Sequence, residues 1–169
     1  MHFDERLLQW QPFFTTVATV AATLVGLLFV SLSLNREKIA SAPDQMLLRL
    51  ARRSFSDFLL VLLIALFFLI PYQGNTALAV ELFGLGILRI RWLFLQLSSQ
   101  TKREHKPTLP TLVREYMLPA LAVIGILIAG AGIYRQELAA IYWFVVPVLA
   151  ILLLRASWNA WLLLVLEQK

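Results

Sequence analysis

From Phe13 to Asn35 the chain reads FFTTVATVAATLVGLLFVSLSLN, without a single charged residue. An α-helix needs about twenty apolar residues to cross a hydrocarbon core of about 30 Å, so this stretch is long enough to span a bilayer. Thr16, Thr19, Thr23, Gly26, Val30 and Ser33 recur at spacings of three and four and fall on one stripe. Ala18, Ala22 and Gly26 add a ladder of small residues beside it. In lipid, helices gain little by hiding leucine from acyl chains, and association rests on close backbone approach and interhelical hydrogen bonds. The stripe therefore predicts a helix-contact surface (Thr16, Thr19, Thr23, Gly26, Ala18, Ala22), with Leu24, Leu28 and Leu32 left for lipid.

The rest of the chain agrees with a membrane environment. Sixty per cent of the 169 residues are hydrophobic and 15% are charged, against roughly 25% charged in a soluble domain. Mean hydropathy is +0.76. The polar segments are too short to form a water-soluble domain. The N-terminal MHFDERLLQW lacks a small-residue cleavage pattern, so the first helix is expected to stay in the mature protein. With no cysteine there is neither a disulfide nor thiolate chemistry. The net charge of +5 reads as an excess of basic residues in cytoplasmic loops rather than as a nucleic-acid footprint.

Taken in order, the pattern predicts an all-α membrane protein, a single transmembrane bundle of about five helices over 1–169. The expected spans are 13–34, 55–72, 76–97, 111–134 and 140–166. A Ser-x-x-Asp start at Ser41–Asp44, with Pro43 in the first turn, opens a basic helical extension over 43–54. The Tyr72–Thr76 segment is a tight turn, and 98–110 is a polar loop broken by prolines. Five spans put Arg36, Lys38, Arg49, Arg52, Arg53, Lys102, Arg103, Lys106, Arg114 and Lys169 on one side, and only Arg6 and Arg135 on the other. That bias predicts the N-terminus outside and the C-terminus cytoplasmic. A re-entrant second and third segment is the competing topology.

No enzyme motif is present: no histidine pair, no nucleophile elbow, no phosphate-binding loop and no dinucleotide fingerprint. His2 and His105 fall on opposite sides of the membrane in this topology, so neither a metal nor a cofactor is expected. Several polar residues do fall inside the spans. Arg89 and Arg91 on the third helix, Arg155 and Asn159 on the fifth, Asp57 at the start of the second and Ser31 and Ser33 on the first share one depth near the cytoplasmic side. Arginines at such a depth also snorkel to the headgroups. Arg89 and Arg91, two apart, point to nearly opposite faces, so one of them is expected to turn inward and meet Asp57. Arg155 and Asn159, four apart, share a face. Glu81 lies one turn inside the outer end of its helix and reads as a headgroup contact, a vestibule residue or a partner of Arg135. Pro119 and Pro147 read as kinks or as hinges.

The run LVGLLFVSLSLNREKI, Leu24–Ile39, resembles a segment of small, largely uncharacterised bacterial integral membrane proteins, some of which are labelled modulators of a membrane protease. The resemblance implies a bacterial inner membrane location and no established activity. Phe55-Ser56-Asp57 is similar to the Phe-Ser-Asp signature of a potassium-channel family, but Ala51 stands where that family carries arginine, and the tripeptide opens a second helix rather than a first. These readings lead to two functional expectations. One is a homo-oligomeric ion channel or pore with a net-positive polar layer, its pathway lying between subunits. The other is a non-conducting regulatory or scaffold protein that binds another membrane protein. An enzyme acting on lipids is disfavoured, because nucleophile and metal sets are missing.

Overall fold

A computed structural model describes residues 7–34, 46–100 and 117–167. Five helices make up the described chain, and no strand occurs among the described residues. They are α1 (Gln11–Leu34), α2 (Met46–Leu69), α3 (Asn75–Gln100), α4 (Leu118–Tyr134) and, after a π-helical turn (Ile141–Val145), α5 (Val146–Glu167). The predicted cap at Ser41–Asp44, the loop beyond Gln100 and the start of the fourth helix before Met117 lie outside the described residues. The second helix is continuous from Met46, so the basic extension and the span form one element that stops ahead of Pro71. Proline disfavours helical backbone at the residue before it and cannot donate a helical hydrogen bond.

Among the described residues, two stretches are long and apolar enough to cross a membrane, Gln11–Leu34 and Ile141–Leu162. At 1.5 Å per residue the 24 residues of α1 extend about 36 Å. Helix α4 is apolar but shorter, and α2 and α3 carry arginines within their lengths.

The packing divides the chain into two compact units. One comprises Gln9–Ile70 and Leu152–Lys169, and thus contains α1, α2 and the later part of α5. There α1 and α2 run antiparallel. The Phe14 and Phe68 rings stack at 4.1 Å between centroids and 9° between planes. At the other end Leu32 packs against Leu50 and Ala51. Leu28, Phe58 and Ala156 form the core between them, flanked by Leu24, Val25, Leu32 and Leu153. Because Leu153 lies at the Leu28 level and Leu162 at the Leu32 level, α5 runs parallel to α1.

This corrects the expected facing of α1. Leu28 is buried and Leu24 and Leu32 are half-buried, whereas Thr16, Thr19, Thr23, Ala22 and Gly26 are exposed. Within the chain, the bulky side chains remove more apolar surface from the surroundings than the threonines would, so the bulky face packs inward. Ala18 goes inward with Phe14, Val17 and Ala21. Each i to i+4 step drifts by about 40° around the helix, which carries the Ala18–Ala22–Gly26 ladder off the packed face.

The other unit is built on Pro71–Ile151. Here α3 and α4 run antiparallel with glycines at the close approaches. A β-carbon on Gly86 would meet Leu127 Cδ2 at 2.6 Å, and one on Gly125 would collide with Val148. Asn75 Nδ2, at the start of α3, donates to the Tyr134 carbonyl at 3.1 Å, serving one of the acceptors left open at the end of α4. Helix α4 then closes in a Schellman motif: Gln136 N–H donates to Ile133 O and Glu137 N–H to Gly132 O, both at 2.9 Å, with Gln136 in the left-handed region at φ 61°. Beyond the turn lies the π-helical segment, in which Val146 N–H reaches back five residues to Ile141 O. Pro147 explains it. Without an N–H, this residue cannot serve the Trp143 carbonyl, and a widened turn accommodates the gap.

Candidate functional site: a buried polar cluster

Among the described residues, the unit formed by α1, α2 and the later part of α5 is apolar in its core except at one place. Helix α2 offers Ser54 and Asp57, three apart, and α5 offers Arg155 and Asn159, four apart, so each pair shares a helical face. All four side chains are buried, Ser54 and Asp57 completely. Arg155 Nε lies 3.1 Å from Asp57 Oδ2. The contact has the distance of an ion pair without the alignment of a hydrogen bond. Ser54 Oγ, one turn before Asp57, forms no hydrogen bond to another described residue. The apolar neighbours Phe58 and Ala156 adjoin Asp57 and Arg155 in sequence and pack on Leu28, which fixes α2 and α5 at the depth where the charges meet.

Electrostatics gives this arrangement a definite character. Two charges withdrawn from a polar solvent lose several kcal/mol of solvation each, and their mutual attraction offsets that loss only while both are present. The pair therefore acts as an interlocked polar contact across α2 and α5. It offers no nucleophile–base couple. Among the described residues no three His, Asp or Glu side chains are grouped to hold a metal ion.

The predicted polar layer is thus resolved residue by residue. The sequence reading paired Asp57 with Arg89 or Arg91; Arg155 is a partner it named in the same layer without pairing it. Arg89 and Arg91 lie in the other unit. Arg89 is buried, its guanidinium carbon 5.4 Å from the Trp92 ring centroid, and Arg91 is exposed. Glu81 is half-buried, with Oε2 enclosed and making no hydrogen bond to a described residue. The helix-contact stripe, apart from the buried Ala18, points away from its own unit. The hydroxyls of Thr16, Thr19, Thr23 and Ser33 each donate to the carbonyl four residues earlier, at 2.8–2.9 Å, so the face carries no unsatisfied hydroxyl proton. Sequence reasoning missed Ser54 as a member of the cluster. Its signal was the Ser-x-x-Asp spacing, which puts both side chains on one face of an otherwise leucine-rich helix.

Among the described residues these features define an all-helical architecture with two helices long and apolar enough to cross a membrane and a charged pair enclosed between helices. Comparison with protein-family models, curated proteins and solved structures finds no match to this chain.

Proposed function

We propose that the chain is a five-span protein of the bacterial inner membrane, N-terminus outside and C-terminus cytoplasmic, that assembles with copies of itself through α1 and conducts ions along a path between subunits. The observation that carries the reading is the exposed Thr16/Thr19/Thr23/Gly26 face. Small, internally satisfied residues occupy a surface that the helix's own unit leaves uncovered, and a second backbone can approach it closely. Two further facts support it. Parallel α1 and α5, with α2 antiparallel to both, is the arrangement an odd number of spans requires. The asymmetric distribution of Lys and Arg supports the orientation.

Gly26 supplies the test. A β-carbon there would meet nothing within 4 Å, so Gly26→Leu leaves the subunit intact while blocking close approach of a neighbour. The expected outcome is an oligomer for the unaltered chain in lipid nanodiscs, and for the variant a monomer whose fold is no less stable to heat than the unaltered subunit. Equal masses for both would refute assembly through this face.

One observation favours a second reading, a non-conducting scaffold for other membrane proteins. Asp57 and Arg155 neutralise each other inside the unit, which removes one arginine from the positive layer expected of a pore. Single-channel recording separates the two, since a silent oligomer selects the scaffold.

A further inference from the structure

A second polar feature belongs to the unit built on Pro71–Ile151, where α4 turns into the π-helical segment. A hollow of about 400 Å³ is lined by Arg135, Glu137, Gly132, Ala140, Trp143 and Phe144, among others. Its volume is within the range of roughly 300–1,000 Å³ that holds small ligands. The local backbone explains why it exists. The Schellman closure ends α4 at Tyr134 and leaves Arg135 and Glu137 both exposed on the turn. Gly132 has no side chain, and a β-carbon there would strike Ala140. Neither Arg135 nor Glu137 forms an ion pair with another described residue.

We propose that this hollow seats the headgroup of a zwitterionic phospholipid, with Arg135 on the phosphate and Glu137 on the amine beyond it. The proposal rests on the membrane-spanning reading above. Charge complementarity selects the occupant. Arg135 and Glu137 together are neutral, so a purely anionic headgroup gains the first and is repelled by the second, while a phosphate followed by an ammonium satisfies both. The surroundings select a lipid over a soluble phosphate ester. Tyr134, Tyr142 and Trp143 are exposed at this end of the helices, and such rings favour the headgroup level. Trp143, Phe144 and Ala140 offer an apolar wall to the glycerol and the first methylenes of the acyl chains.

The experiment uses the full chain, purified from membranes and loaded with equal amounts of phosphatidylethanolamine and phosphatidylglycerol, with retained lipids counted by native mass spectrometry. The expected result is preferential retention of phosphatidylethanolamine by about three- to fivefold, the size of an exposed ion pair. Arg135→Gln is expected to lower that retention. Glu137→Gln is expected to remove the preference and raise phosphatidylglycerol binding. Both residues are exposed, and unchanged far-UV circular dichroism verifies the fold of each variant. Equal retention of the two lipids by the unaltered chain would overturn the proposal, as would a preference that survives both substitutions. Displacement of the lipid by free phosphoethanolamine at equal concentration would overturn the choice of a lipid over a soluble ester. A chain recovered outside the membrane fraction would refute the spanning reading instead, before any lipid is counted.

Discussion

Arg155 Nε approaches Asp57 Oδ2 to 3.1 Å in a setting where both side chains are almost wholly enclosed. The two residues come from helices about a hundred positions apart in the chain, and the contact ties α2 to α5 where Leu28, Phe58 and Ala156 form their shared core. A pair of this kind contributes little net stability relative to apolar residues of the same shape, but removing one member leaves an enclosed charge uncompensated.

Asp57→Asn is accordingly expected to destabilise the protein by about 3–5 kcal/mol, measured by thermal or denaturant unfolding in detergent. Arg155→Gln introduced with it should recover part of that loss, giving a coupling energy of about 1–3 kcal/mol in a double-mutant cycle. Arg91→Gln, on an exposed residue, should fall within about 0.5 kcal/mol of the unaltered chain. Purely additive effects of Asp57→Asn and Arg155→Gln would show that the two charges do not depend on each other.

The glycines divide into two groups by what surrounds them. A β-carbon on Gly125 would collide with Val148, so Gly125→Ala should destabilise by about 1–3 kcal/mol through overpacking. Adding Val148→Ala should relieve the collision and restore part of the loss. Gly26 has open space instead, and Gly26→Ala should raise stability by about 0.5–1 kcal/mol through a better helix propensity. Unfolding midpoints of the three variants, compared in one detergent, check the contrast.

Gln136 holds a left-handed conformation, φ 61°, to close α4. A residue with a β-carbon is strained there by about 1–2 kcal/mol, whereas glycine is not. Gln136→Gly should therefore stabilise by roughly 0.5–1 kcal/mol once the greater freedom of glycine in the unfolded chain is deducted. A lowered unfolding midpoint would contradict the strain argument.

The orientation proposed from the basic residues makes a direct prediction in a chain that lacks cysteine. Lys102→Cys should be protected from a membrane-impermeant thiol reagent added outside intact cells, and Gly74→Cys should be labelled by it. Labelling of position 102 from outside would reverse or break the five-span topology.

What the amino-acid order determined by itself was local. The uncharged run from Phe13 to Asn35 supplies enough apolar helix to cross a bilayer, Pro71 stops α2, and Pro147 marks an irregularity in the last helix. Each follows from neighbouring residues acting through backbone geometry and solvation. Spacing also showed that Arg155 shares a face with Asn159, and that the threonines of α1 form a stripe. It did not show which of these faces meets another helix. That depends on the summed contacts between segments distant in sequence, where the bulk of Phe14, Val17 and Leu28 outweighs a ladder of small residues and turns the threonines outward. The pairing of Asp57 with Arg155 was decided the same way. Several arginines share its expected depth, and only the packing of Phe58 and Ala156 against Leu28 brings this guanidinium to this carboxylate.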